Sequence, residues 1–176
     1  INIDKSEKIK INRIYVSGVD EKEAKKLKRA MKKTRDKALI NLLKSKKFIQ
    51  DKYEEDKGLL IAKMNEWGYR DALLLKDSIK VIDDSHIDIY LDVYKGQKYY
   101  LRNINWVGNT VYTTEFLEKV LKMKSGDVYD QALLDKRLNS DEDAIGKLYY
   151  NNGYVFYHLD PVEINVDGDS IDLEMR

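Results

Sequence analysis

The chain repeats itself. Laid on itself at an offset of 90 residues, Ile9 falls on Tyr99, Ile11 on Leu101, Ile14 on Ile104, Val16 on Trp106 and Gly18 on Gly108. In both copies the apolar residues alternate, slip by one position, and alternate again into a glycine. Strands have a side-chain period of two, so a shared slip says more than shared alternation. Self-similarity at a fixed period fixes the architecture: two copies of one small unit, the second beginning near Tyr99. The 176 residues suffice for two units of about 80 to 90 residues each. The expected division is a tail of a preceding module over 1–8, a first module over 9–95 and a second over 96–176.

Composition bounds what such units can be. Apolar residues make up 43% and charged residues 36%, with a single proline, which fits small packed cores rather than disorder. No window approaches the ~18 apolar residues of a membrane helix. The chain opens on Ile1 without a signal-like segment, and is read as a piece excised from something longer. The absence of cysteine removes disulfides, thiolate nucleophiles and cysteine-ligated zinc. Residues 1–95 carry 23 Lys and Arg against 17 Asp and Glu, and residues 96–176 carry 9 against 14, so the net charge of +1 hides a basic unit followed by an acidic one.

In the first unit Lys10–Ser17 reads as a strand ended by Gly18. Asp20 caps a helix with Glu23 at capping-box spacing, and Ala24, Leu27 and Met31 form its apolar stripe. Its other face is basic: Lys22, Lys25, Lys26, Lys28, Arg29, Lys32 and Lys33. This is a solvated face or a patch for an acidic partner. Residues 34–51 are an insertion peculiar to this unit, apolar enough at Ala38–Leu43, Phe48 and Ile49 to form a short helical turn. A long helix from Asp51 to Trp67 buries Tyr53, Leu60, Met64 and Trp67, and Gly68 stops it. Two strands follow, Ala72–Ile82 and Ile87–Val93, across an Asp83-Asp84-Ser85 turn.

The second unit repeats this order. Thr113 or Thr114 caps a helix carrying Phe116, Leu117, Val120 and Leu121, and Lys124-Ser125-Gly126 ends it. Asp130 caps one helix running to Asn151, with Leu134, Leu138, Ile145 and Tyr149 on one face. A strand over 155–166, a turn at Asp167-Gly168-Asp169 and a strand with Ile171, Leu173 and Met175 inward complete it. The fold class is α+β: two tandem β-α-α-β-β modules, each a three-stranded mixed sheet covered on one face by two helices.

No catalytic constellation emerges. His86 and His158 have no second histidine at ligand spacing, Asp167-Gly168-Asp169 lacks the later glutamate of a calcium loop, and Asp141-Glu142-Asp143 on a helix would point in different directions. No cofactor, metal or enzymatic activity is expected. A nucleic-acid-binding protein using the basic helix is the reading from another class. The absence of interleaved aromatics and the acidic second unit argue against it, so no nucleic-acid partner is expected. A hydrolase with buried carboxylates is more distant.

Several stretches in fixed order resemble the POTRA domains of the BamA family of outer-membrane β-barrel assembly factors. These are Ile104-Asn105-Trp106-Val107-Gly108-Asn109, Lys124-Ser125-Gly126-Asp127-Val128-Tyr129-Asp130, Leu148-Tyr149-Tyr150-Asn151-Asn152-Gly153-Tyr154, and the junction Tyr94-Lys95-Gly96-Gln97-Lys98-Tyr99. The insertion followed by Trp67-Gly68-Tyr69 resembles the third POTRA of a five-domain array, which would make the second unit the fourth. Gly18-Val19-Asp20 departs from the family's usual Gly-Asn. The resemblance implies a non-catalytic periplasmic scaffold. Its partners would be unfolded outer-membrane proteins, accessory proteins of an assembly complex, adjacent POTRA modules and a C-terminal membrane β-barrel. A secretion-type transporter is the alternative within it.

The strand after the second helix of a POTRA domain is a sheet edge, and the resemblance implies that it takes up barrel segments by β-augmentation. In this chain that edge is expected at Ala72, Leu73, Leu75, Asp77, Ile79 and Val81. The last four apolar positions share a parity that Asp77 breaks, so a bulge is expected there, with Lys76, Asp77 and Lys80 as gatekeepers. Pro161 is expected to interrupt the corresponding strand of the second unit, making the first the better acceptor. Tyr94, Gly96, Tyr99 and Tyr100 are the expected junction residues. Lys22, Lys25, Lys26, Arg29, Lys32 and Lys33 are a candidate partner surface.

Overall fold

The structure is a computed structural model and describes residues 9–36 and 47–176. The expected tail 1–8 and the apolar run Ala38–Leu43 lie outside the described residues. The chain divides into two compact units: one runs to Met64 and resumes over Ala72–Lys95, the other takes Asn65–Asp71 together with Gly96–Arg176. The turn after the long helix, read from sequence as part of the first unit, thus packs with the second.

The first unit contains β1 (Lys10–Ser17), α1 (Glu21–Ala30), α2 (Gln50–Glu66), β2 (Leu73–Asp83) and β3 (His86–Tyr94). Its sheet has the order β1-β3-β2, with β1 parallel and β2 antiparallel to β3. The strict alternation of β3 buries Ile87, Ile89, Leu91 and Val93, and Ile11, Ile14, Leu27, Tyr53, Leu60 and Met64 are buried in the same unit. The Asp20 capping box forms as expected: Asp20 accepts from the Glu23 N–H at 2.9 Å, and Glu23 accepts from the Asp20 N–H at 3.2 Å. Met31 is buried but lies one residue past the helix, and Trp67 is only half-buried. Gly18 has φ +87°, and a Cβ there would sit 1.8 Å from the Val93 carbonyl oxygen. Only glycine allows that close approach.

The second unit contains β4 (Tyr100–Trp106), α3 (Thr114–Leu121), α4 (Gln131–Asp135), α5 (Ile145–Asn151), β5 (Pro161–Asp167) and β6 (Ser170–Met175). Its sheet order, β4-β6-β5, is that of the first. Leu101, Leu117, Leu121, Leu134, Leu138, Ile145, Ile171, Leu173 and Met175 form its core.

Three expectations are corrected here. Thr113 caps α3, but the helix ends at Leu121 with Lys122 left-handed, before Lys124-Ser125-Gly126. The single helix expected over 130–151 is broken: a π-helical turn, Lys136–Ser140, follows α4, and the backbone is extended at Asp141 and Ala144 before α5. The cause is Arg137. Its buried guanidinium donates to the Val120 carbonyl, to Asp141 at 3.0 Å and to Asp143 at 2.6 Å, gathering carboxylates that a continuous helix would splay. The four apolar residues of the expected stripe are nonetheless all buried. Finally, β5 begins at Pro161 rather than being interrupted by it. A first strand position is one where the missing N–H is tolerated.

The slip shared by both repeats is a β-bulge. The β1–β3 register shifts between Ile11 and Arg13, and the β4–β6 register shifts between Leu101 and Asn103. Each bulge is tied to a buried aspartate on the central strand. Asp88 accepts from the Asn12 side chain at 2.8 Å and the Arg13 N–H at 3.1 Å. Asp172 accepts from Arg102 at 2.9 and 2.7 Å and from Asn103 at 2.8 Å. Arg102, then Asn103, hold the Asp172 carboxyl well below the usual carboxylate range. The sequence signal was present in Ile87-Asp88-Ile89 and Ile171-Asp172-Leu173, where a charge sits between the most buried strand residues.

Candidate functional site

Each sheet has two edges, and in each unit the edge on the first strand is partly occupied. In the first unit Lys47 bridges to Lys10, the Phe48 N–H donates to the Ile9 carbonyl at 2.8 Å, and Asp36 accepts from the Ile14 N–H at 3.3 Å. In the second, the Leu101 N–H donates to Asp127, Gly126 donates back to Leu101, and Tyr129 donates to Tyr99, all within 2.9 Å. The segment between α3 and α4 is therefore an edge cover for β4. Among the described residues the open edges are β2 and β5.

Of these, β2 is the longer, with 11 residues against 7. Leu73, Leu75, Ile79 and Val81 are all exposed, Val81 by 70% and Leu75 by 60%, and Ile82 joins them. Ala72 is buried and lies just before the strand. The expected common face is corrected by the register. The extra residue is Leu75, between the pairs Leu74–Val93 and Lys76–Asp92, and a second shift falls at Ile82. Paired residues share a face, so Leu73, opposite Tyr94, lies on the open face. Ile79 and Val81, opposite Ile89 and Ile87, lie on the helix side.

Asp77 is not at the bulge. It stands opposite Leu91 on the helix side, accepting from the Tyr53 hydroxyl at 3.1 Å and from Lys57 at 2.9 Å. The hydrogen bond from Lys57, then that from Tyr53, lowers its pKa. Asp77 thus ties the edge strand to α2. Lys76 and Lys80 stand opposite Asp92 and Asp88 on the open face, where Tyr15 and Tyr90 stack with centroids 4.8 Å apart.

Among the junction residues, Tyr94 is exposed at the end of β3, Gly96 has φ +67°, and Tyr100 opens β4 with Lys98 over its ring. Tyr99 donates to Asp71 at 2.7 Å. On the basic face Lys22, Lys25, Lys26, Arg29, Lys32 and Lys33 are all exposed. Lys25 pairs with Glu21, Lys33 with Glu55, and Lys28 with buried Asp36, so the face is partly neutralised. Sequence reasoning missed Asp56. It is fully buried on α2 and accepts from the backbone N–H groups of Lys33 and Thr34. Its position among the apolar residues of the helix was the available signal.

His86 lies beside Asp83 and His158 beside Asp160, each at 2.9 Å. Among the described residues no three His, Asp or Glu side chains converge as a metal site, and no helix is long and apolar enough to cross a membrane.

Residues 99–176 match the POTRA family, described as a surface antigen variable number repeat. The second unit is a POTRA domain. The first has the same strand order, bulge and buried aspartate, so the fold of the chain is that of two tandem modules of this kind. It is 24% identical over 117 residues to the outer membrane protein assembly factor BamA of Neorickettsia risticii, covering 61% of this chain. It is 26% identical over 121 residues, 66% of this chain, to a putative outer membrane protein assembly factor of Treponema pallidum. The chain spans only 16% and 14% of these two relatives.

Among solved structures, POTRA3–5 of Haemophilus influenzae BamA superimposes with a TM-score of 0.57 at 19% identity, covering 96% of this chain and 60% of that one. BamA from Haemophilus ducreyi lacking POTRA domains 1–3 gives 0.67 at 17% identity, covering 94% of this chain and 28% of that one. Because the latter has no third POTRA, the likeness is to the POTRA pair rather than to one position in an array.

Proposed function

We propose that the pair is a non-catalytic receiving platform for unfolded outer-membrane barrel segments, and that β2 is its acceptor. The observation carrying this is the arrangement of edges: loops occupy β1 and β4, while among the described residues an 11-residue antiparallel strand is left open. An added strand would gain main-chain hydrogen bonds irrespective of its sequence, with Leu73 on one face and Ile79 and Val81 on the other giving a mild apolar preference. The bulges at Leu75 and Ile82 bend the edge and limit the length of guest that pairs in register. On this reading β5, shorter and opened by Pro161, is the poorer acceptor. The repeats run from 9 to 95 and from 96 to 176, with the turn 65–71 of the first counted in the second compact unit and the junction at Tyr94, Gly96, Tyr99 and Tyr100. The α1 lysines serve accessory proteins of an assembly complex, in a protein that ends in a membrane barrel. The likeness to assembly factors supports this reading.

The test is an amide-resolved NMR titration with an unfolded barrel-strand peptide at low and moderate salt, on wild type, Ser78→Pro and Ile79→Pro. Adjacent strand residues direct their N–H groups to opposite sides, so one proline disturbs pairing with β3 and the other removes a donor from the open edge. The expected result is salt-tolerant shifts in β2, and several-fold weaker binding in the variant that keeps its sheet. Shifts confined to Lys22–Lys33 that vanish with salt would make the helix the working surface instead.

A further inference from the structure

The repeat lets the groove beside the first strand be compared between the modules, residue by residue. In the first, the Ile14 N–H turns away from the sheet and donates to the buried carboxylate of Asp36 at 3.3 Å. Lys28 of α1 approaches from the helix, its Nζ 3.4 Å from the same oxygen. The chain's own carboxylate thus fills the space between β1 and α1.

In the second module the repeat mate of Ile14 is Ile104, and that of Lys28 is Glu118 on α3, next to the buried pair of mates Leu27 and Leu117. The Val107 N–H donates to the Met175 carbonyl of β6 at 2.9 Å. Main-chain groups alternate sides along a strand, so those of Ile104 and Trp106 point away from β6. The cover of β4 reaches only Leu101, to which Gly126 donates. Past it runs a groove of about 490 Å³, with Asn103, Ile104 and Asn105 on one side and Glu115, Glu118 and Lys119 on the other. Among the described residues nothing stands at the Ile104 N–H as Asp36 stands at Ile14.

The charge of the helix wall is reversed as well. Lys25 and Lys28 are replaced by Glu115 and Glu118, while Lys119 keeps the sign of Arg29. Of the cations bordering the groove, Arg102 is engaged by Asp167 and Asp172, Lys124 belongs to the covered end, and Lys119 lies one helical turn from Glu115. Glu118 is exposed and has no ion-pair partner among the described residues. A carboxylate placed here as Asp36 is placed in the first module would meet Glu118 instead of Lys28.

We propose that the groove between β4 and α3 is a binding site for a short extended peptide bearing a lysine or arginine. A guest carbonyl accepts the Ile104 N–H, the Ile104 carbonyl accepts a guest N–H, and the basic side chain reaches Glu118. Only Ile104 and Trp106 offer main-chain groups there, so about three guest residues can pair and charge supplies the selectivity. The site is unlike β2, an open strand of 11 residues that exposes Leu73, Leu75 and Val81. In the first module the same groove is closed by Asp36 and walled by lysine, and admits no such guest. The inference is independent of strand capture by β2.

The test is an amide-resolved NMR titration of the 176-residue chain with two end-blocked peptides, Thr-Val-Lys-Val-Thr and Thr-Val-Asp-Val-Thr, on wild type and Glu118→Lys. The lysine peptide is expected to shift residues 104–106 and 115–119 and to bind roughly threefold more tightly than the aspartate peptide, the worth of one exposed ion pair. Glu118→Lys, a substitution of an exposed side chain, should reverse that order. Shifts in β2 alone would overturn the inference while supporting strand capture, and shifts at 104–106 with none in β2 would do the opposite. Equal binding of the two peptides, or a preference that Glu118→Lys leaves unchanged, would overturn it too.

Discussion

Two aspartates on the central strands fix the geometry of both modules. Asp88 and Asp172 sit where alternation predicts a plain solvent-facing residue, yet each is buried and holds a bulge. Because Asp172 titrates below the usual carboxylate range when folded, its contribution is complete at neutral pH. It is lost only as pH falls well below about 4, the ordinary aspartate value. Asp172→Asn should therefore lower the melting temperature by several degrees at pH 7, and the gap should close toward pH 2; a gap independent of pH would mean that the charge is not what matters. Gly18 and its repeat mate Gly108 differ in what surrounds them. Both have positive φ, but only Gly18 faces a carbonyl; nothing lies within 4 Å of a Cβ at Gly108. Gly108→Ala should cost about 1 kcal/mol and Gly18→Ala at least about 2 kcal/mol more, by chemical denaturation.

At the scale of elements, much was legible in the sequence. The slip at Ile11–Arg13 announced a bulge because one extra residue reverses every following side chain. The capping box at Asp20 and the alternation of β3 were local, and so readable. What could not be read was tertiary. Nothing near Asp77 in the chain says that Tyr53 and Lys57 await it, and the apparent parity of Leu73, Leu75, Ile79 and Val81 concealed a bulge at Leu75 that puts them on different faces. The helix over 130–151 failed for the same reason. Its periodicity placed the apolar residues correctly, while Arg137, by reaching the Val120 carbonyl and two carboxylates, broke the backbone between them. Arg137→Met should restore helical backbone across 141–144, seen as secondary chemical shifts, at the expense of faster amide exchange at the end of α3.

For the whole molecule, the charge asymmetry of the sequence is less free than its count suggests, since Lys25, Lys28 and Lys33 are each answered by a carboxylate of the same unit. Breaking the Arg70–Glu163 pair offers a check on how the units are composed. Glu163→Lys should speed amide exchange at 65–71 while leaving β1 and β3 unchanged. Uniform acceleration through the first unit would show that the turn belongs to it. The placement of that turn also sets an order in time. As the chain emerges during synthesis, the first sheet can close once Tyr94 is made, but the turn interrupting its sequence must wait for Tyr99, Val128 and Glu163. A nascent chain halted at the end of the first module therefore holds a finished sheet and an unfinished corner, and no single cut divides the two modules cleanly.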